Sequence, residues 1–184
     1  LLVVGSSWPE DEAILLPYFN EEAPEDFALV LAPHEIHEEH LRAIEAGLKR
    51  PSIRLSEYDE AKGLPEGTAC IIIDCFGLLS SVYRYGRWAY VGGGFGKSVH
   101  NTLEAAVYGI PVFFGPEIHK HREVRELVRR ESGFILHDRA ELSQLLQRFS
   151  SEEECKALEA RTRTYFREEC GATAAILSDI LPSE

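Results

Sequence analysis

Four glycines within five residues, Gly92, Gly93, Gly94 and Gly96, are followed by the cation Lys97 and are the part of this sequence best suited to chemistry. Residues without a Cβ let backbone N–H groups converge, and a helix N-terminus behind them carries about half an elementary positive charge. Together they hold a phosphate or a carboxylate. The helix is expected to start at Asn101, so that residues 91–116 read as strand end, glycine loop, helix and second strand. The plainer alternative is a tight strand-to-helix turn that uses glycine for positive φ; four glycines rather than one favour the anion seat. Glu104 has two readings. Asn101-x-x-Glu104 has the spacing of a capping box, yet a carboxylate one turn into this helix also suits the hydroxyl pair of a ribose. Residue chemistry leaves these two open.

Other chemistries are excluded by spacing. The loop lacks the early G-x-G-x-x-G and the following acid of a dinucleotide fold, and it lacks the G-x-x-x-x-G-K of a P-loop. No G-x-S-x-G elbow and no zinc-type ligand spacing occur. Cys70, Cys75, Cys155 and Cys170 read as unpaired thiols in a reducing compartment. The net charge of -12 argues against a nucleic-acid partner. That charge is uneven: residues 1–69 carry 15 acids and 5 bases, whereas residues 70–138 carry 7 and 8. The glycine-loop third is therefore where an anion is best tolerated. The basic run Lys120, Arg122, Arg125, Arg129 and Arg130 could face an acidic headgroup, but a solvated helix face accounts for it more simply. No apolar run approaches about 18 residues, so no membrane span or signal peptide is read.

The elements that must position this loop alternate along the whole chain. Leu1–Val4, Phe27–Leu31, Ser52–Ser56, Cys70–Asp74, Trp88–Val91, Val112–Phe114 and Phe134–Leu136 read as strands. Between them, helices are expected at Ser7 onward with Pro9 in the first turn, and at Glu35–Leu48, Leu78–Tyr85, Asn101–Tyr108 and Arg122–Arg130. Ala140–Phe149, Glu152–Glu169 and Ala172–Leu181 follow as helices. This pattern specifies an α/β, Rossmann-like fold, a parallel sheet with helices on both faces, and 184 residues with 45% hydrophobic content suit one domain over residues 1–184. Post-strand loops at Ser6–Ser7, His34, Phe76–Gly77, Gly92–His100 and Gly115–His121 should gather on one edge. Ser6 and Ser7 are either helix caps or a hydroxyl pair facing a ligand. His37 and His40, among glutamates, read as a solvated helix face; His34 stands apart at a strand end. The chain starts within an apolar run and has no methionine, which suggests a domain of a longer protein.

Several blocks together resemble one family: Asp74-Cys75-Phe76-Gly77, Ala89-Tyr90-Val91-Gly92-Gly93-Gly94, His100-Asn101-x-Leu103-Glu104-Ala105-Ala106, Gly109-x-Pro111-Val112 and Phe114-Gly115-Pro116. They are similar to the 3-deoxy-D-manno-octulosonic acid (Kdo) transferases of lipopolysaccharide synthesis, over nearly the whole chain. Gly5-Ser6-Ser7-Trp8 resembles the start of that family's donor domain, and Gly171-Ala172 with the following helix resembles its end.

The resemblance implies the C-terminal, donor-binding domain of a GT-B glycosyltransferase, which transfers Kdo with inversion from CMP-Kdo to the lipid A precursor without metal or other cofactor. Gly93, Gly94 and the neighbouring backbone of Phe95, Gly96 and Lys97 would hold the CMP phosphate. Asn101 and Glu104, beside His100, would meet the nucleotide. Phe76 and Gly77 would border the cytosine, and Ser6, Ser7 and His34 would approach the phosphate or sugar acid. The catalytic base, a glutamate, would lie in an N-terminal domain outside this chain, and the full-length enzyme would work at the cytoplasmic face of the inner membrane. Two departures stand out. The loop reads Gly-Gly-Gly-Phe-Gly-Lys where family members often have Gly-Gly-Ser, and His34 follows Pro33 where the family often has arginine, exchanging a permanent charge for a titratable one. The competing readings are a GT-B donor domain for a UDP-sugar and a non-enzymatic nucleotide-binding module.

Overall fold

A computed structural model describes residues 1–180; the expected helix end at Leu181 lies outside the described residues. The elements in order are β1 (Leu2–Ser7), α1 (Pro9–Glu21), β2 (Leu29–Pro33), α2 (Glu38–Gly47), β3 (Ser52–Arg54) and β4 (Cys70–Ile72). They continue as α3 (Leu79–Val82), β5 (Trp88–Val91), α4 (Leu103–Ala106), β6 (Val112–Phe114), α5 (Arg122–Arg129) and β7 (Gly133–Ile135). Helices α6 (Arg139–Arg148), α7 (Glu152–Glu169) and α8 (Ala172–Ile180) close the described chain.

All seven strands run parallel in the order β3-β4-β2-β1-β5-β6-β7. β1 is central because Leu2, Val3 and Val4 are buried on both faces, as a short unbroken apolar run requires. Leu2 and Val4 join one apolar layer with Leu15, Phe19, Ile44 and Leu142; Val3 joins the other with Tyr83, Ala105, Val124 and Leu127. Helices therefore cover both faces, as the alternating pattern predicts. α7 straddles the two, with Leu158 in the first layer and Tyr165 in the second.

The main differences from expectation lie at element ends. β1 runs on through Gly5, Ser6 and Ser7, with a register shift between Gly5 and Ser7 and Ser6 at φ 54°. The second helix starts at Glu38 rather than Glu35, capped by the His37 side chain, which accepts the His40 N–H. The helix expected from Asn101 to Tyr108 is only the single turn α4.

Candidate functional site

Chain direction across the sheet reverses between β1 and β5, and a parallel sheet leaves its crevice at such a point, beyond the strands' carboxyl ends. The residues there are Ser6 and Ser7 at the end of β1, Trp8 after it, and the glycine loop after β5. His34, after β2, is brought in by its N–H bond to the Ser7 carbonyl. The expected gathering of loops on one edge is present.

The glycines of the loop have separate tasks. A Cβ on Gly92 would collide with the Ser6 carbonyl and lie 2.7 Å from the Asp11 carboxylate. A Cβ on Gly94 would sit 2.6 Å from the Gly115 nitrogen, so these two backbones pack directly on each other. Gly93 has φ 93° and its carbonyl accepts three N–H groups, from Gly96, Lys97 and Ser98. Its own N–H is donated to Asp11 Oδ2 at 2.9 Å. This corrects the expected role of Gly93 as a phosphate donor, because its N–H already has a buried acceptor. The N–H groups of Gly94 and Phe95 have no acceptor among the described residues, and Gly96 is open. The single-turn α4 lacks the summed dipole of a full helix, so these amides and side-chain cations are the groups here that could hold an anion.

Asp11, an acid in the first turn of α1, is fully buried. Its carboxylate accepts the Tyr90 hydroxyl at 2.6 Å, the Gly93 N–H and the Trp8 N–H, tying the start of α1 to β5 and the glycine loop. Burial raises its pKa, against the lowering effect of those bonds, and burial likewise raises that of Tyr90. Glu12 beside it is also buried. It accepts the Ser7 hydroxyl at 2.8 Å and pairs with His40 Nε2 at 2.9 Å, while His40 Nδ1 reaches the Glu35 carbonyl. Two expectations are corrected here. His40 is a core residue, not part of a solvated face, and Ser7 is fully buried with its hydroxyl committed, so its side chain faces no ligand. α1 is capped from Trp8, with Asp11 as the acid, rather than from Ser7.

Three rings meet above this buried acid. The indole of Trp8 and the imidazole of His100 are within 9° of parallel and joined edge to edge, Trp8 Nε1 donating to His100 Nε2 at 3.0 Å. His34 stacks across both, its centroid 4.6 Å from Trp8 and 4.3 Å from His100. Lys97 Nζ sits 4.8 Å from the centre of the Trp8 ring. Burial, then the neighbouring His34 and His121, lower the pKa of His100. Trp8 is the organising residue the sequence reading did not select, since its partner is 92 positions away.

Around this stack, Ser6 is half-buried in the left-handed region, a strained conformation for a residue with a Cβ, at the strand end where its carbonyl abuts Gly92. Asn101 Oδ1 accepts the Leu103 N–H, and its Nδ2 donates to Glu104 Oε1 at 2.9 Å. The capping-box bond from Glu104 back to the Asn101 backbone is not formed. Glu104 is instead aimed by Asn101, with its second oxygen unpartnered among the described residues. Ser98 Oγ and Thr102 Oγ1 are buried without a hydrogen-bond partner among the described residues, and Ser98 has φ 152°. Phe76, 80% exposed, and Gly77, at φ 89°, lie beyond β4, two strand positions from β1 and outside the ring stack.

The basic run of α5 is largely neutralised: Arg129 and Arg130 pair with Glu126, Arg130 with Glu168, and Arg122 with Glu169. The four cysteines are unpaired. A cavity of about 320 Å³ lies elsewhere, between Gly109 and the α7 residues Thr162 and Phe166. Among the described residues no helix is long and apolar enough to cross a membrane.

No family model matches the chain. A 3-deoxy-D-manno-octulosonic acid transferase of Aquifex aeolicus is 31% identical over 163 residues, 86% of this chain and 44% of that protein. One from Chlamydophila psittaci is 31% identical over 128 residues, 68% of this chain and 29% of that protein. One from Chlamydia muridarum is 26% identical over 196 residues, all of this chain and 43% of that protein. In fold, the chain is similar to the crystal structure of the C-terminal CMP-Kdo binding domain of WaaA from Acinetobacter baumannii. The TM-score is 0.75 at 20% identity, over 89% of this chain and 86% of that one. By sequence the chain belongs to the 3-deoxy-D-manno-octulosonic acid transferase family, and it spans less than half the length of these relatives.

Proposed function

We propose that this chain is the nucleotide-sugar-binding half of an inverting glycosyltransferase that moves Kdo from CMP-Kdo to a lipid A precursor. The observation that carries the reading is the meeting of the β1, β2 and β5 loops in the Trp8–His34–His100 stack at the reversal point of the sheet, in a chain whose relatives are Kdo transferases. In this reading the free N–H groups of Gly94 and Phe95, with Gly96 open beside them, Lys97, His34 and His100 receive the phosphate. Ser6 faces the sugar acid. Glu104, aimed by Asn101, takes the ribose hydroxyls, and Phe76 with Gly77 borders the cytosine.

The reaction is a displacement. The acceptor hydroxyl oxygen bonds to the anomeric carbon, the bond from that carbon to the phosphate oxygen breaks, and CMP departs with the electron pair. Fixed N–H groups and Lys97 stabilise the charge growing on the phosphate. The hydroxyl proton goes to a base, which we assign to a glutamate on a separate N-terminal domain at the cytoplasmic membrane face, and no residue of this chain is given that role. The proposed transfer uses no bound metal and no cofactor.

Calorimetric titration with CMP, UMP and UDP tests the reading. CMP is expected to bind weakly but best, and the chain alone is expected to turn nothing over. A preference for UDP moves the assignment to a UDP-sugar enzyme; tight binding of another phosphorylated ligand without a second domain favours a binding module. Kdo transfer by the isolated chain overturns the assignment of the base.

A further inference from the structure

The structure assigns Trp8 as a positioning residue that fixes the tautomer of His100, so that His100 presents Nδ1–H as an uncharged donor to the anionic ligand. The ligand half of this inference rests on the donor-site reading above; the tautomer half does not.

An indole nitrogen donates and never accepts. The 3.0 Å bond from Trp8 Nε1 therefore requires a lone pair on His100 Nε2, and the proton of the neutral imidazole must sit on Nδ1. The same ring edge faces the packed side of the glycine loop: a Cβ on Gly93 would lie 3.0 Å from His100 Cδ2 and 3.3 Å from Nε2. The Nδ1 edge is thus turned away from Gly93, and Nδ1 has no hydrogen-bond partner among the described residues. Burial, together with the stacked His34 and the nearby charge of His121, favours the uncharged ring, while Lys97, over the Trp8 ring, supplies the permanent charge. Trp8 is itself immobilised, its N–H on the buried Asp11 and its ring under His34. The pair divides the labour of anion binding: Lys97 brings charge, and His100 brings a directed N–H that does not depend on protonation.

The test is ¹⁵N–¹H correlation of the imidazole nitrogens in the 184-residue chain near pH 7.5, with Trp8→Phe as the variant, because phenylalanine keeps a ring for His34 but has no N–H. In the unaltered protein the Nδ1–H tautomer is expected; a dominant Nε2–H form overturns the inference. In W8F the Nε2–H form should appear, and an unchanged tautomer removes Trp8 from the role. CMP affinity of W8F should fall between about 3- and 10-fold, the scale of one misdirected hydrogen bond, in a protein that still unfolds cooperatively. Equal CMP binding by both proteins overturns the ligand half while the donor-site reading stands. Failure of the unaltered chain to bind CMP at all refutes the donor-site reading and the ligand half with it, and the spectra decide the tautomer.

Discussion

The carboxylate of Asp11 lies 2.6 Å from the hydroxyl of Tyr90, an acid at the start of α1 bonded to a phenol of β5 beneath the glycine loop. Because the same carboxylate also takes the N–H groups of Gly93 and Trp8, Asp11→Ala strands three donors. Each buried orphan costs about 1–3 kcal/mol, so a loss of about 3 kcal/mol or more is expected in urea unfolding, with Asp11→Asn much milder. The pH dependence has a definite sign. Burial raises the folded-state pKa above the ordinary 3.8, so the folded protein holds this proton more tightly than the unfolded chain. The stability Asp11 contributes therefore falls as pH rises from 3.8 through the raised value, then levels off. The difference in stability between the unaltered protein and D11N should shrink over that window; a difference that grows with pH contradicts burial as the dominant cause.

Gly94 and Gly96 offer a paired test of what the glycines do. Gly94→Ala drives a methyl to 2.6 Å from the Gly115 backbone, where no flexible side chain can yield. Overpacking of this kind costs about 1–3 kcal/mol. Gly96→Ala meets only the Glu10 carboxylate at 3.6 Å and should change stability by less than about 0.5 kcal/mol. Chemical denaturation of both variants measures the contrast, and equal costs would show that the loop shifts to make room.

The fold was legible because its signals are local. Apolar runs such as Leu2–Val4 and Val112–Phe114 mark buried strands, and their alternation with amphipathic stretches specifies a parallel sheet and hence one loaded edge. The edge's internal wiring was not legible, because each decisive bond joins residues far apart in sequence. Asp11 meets Tyr90 79 positions on, and Trp8 meets His100 92 positions on. Local rules assign Asp11 and Glu12 to the helix dipole and His40 to a charged face, since acids in a first turn and a histidine among glutamates are usually solvated. Ser6 escapes the same rules, as its left-handed backbone follows from the crowding of β1 against Gly92 rather than from any turn signature. The helix at Asn101 is cut short because Asn101 turns its side chain to the Leu103 N–H, leaving only one helical turn before Gly109.

The Glu12–His40 pair is predicted to be costly to break and cheap to replace. Both side chains are under a tenth exposed, and His40→Ala leaves Glu12 with only the Ser7 hydroxyl. Removing one member of a buried pair costs about 3–5 kcal/mol, whereas exchanging both for apolar residues is often neutral. Glu12→Leu with His40→Leu should therefore recover most of the stability lost in His40→Ala, as read from melting temperatures. A double variant as unstable as the single one would mean that the pair orients α1 against α2 in a way packing cannot replace.

Glu104 separates stability from binding. Since its carboxylate caps no backbone N–H and is held only by the exposed Asn101 side chain, Glu104→Gln should leave the melting temperature nearly unchanged. If Glu104 takes the ribose hydroxyls, the same variant loses a charge-assisted bond worth about 1.5–3 kcal/mol, a fall of roughly 10-fold or more in CMP affinity. Lys97→Ala should also weaken CMP binding, but with a different signature. Its exposed ammonium acts through charge, so its contribution should fade as salt is raised, whereas the directed bond to Glu104 should persist. Titrations of both variants at low and high ionic strength distinguish the two. An E104Q protein that melts early and still binds CMP normally would return Glu104 to a purely structural role, and the ribose contact would then have to come from Asn101.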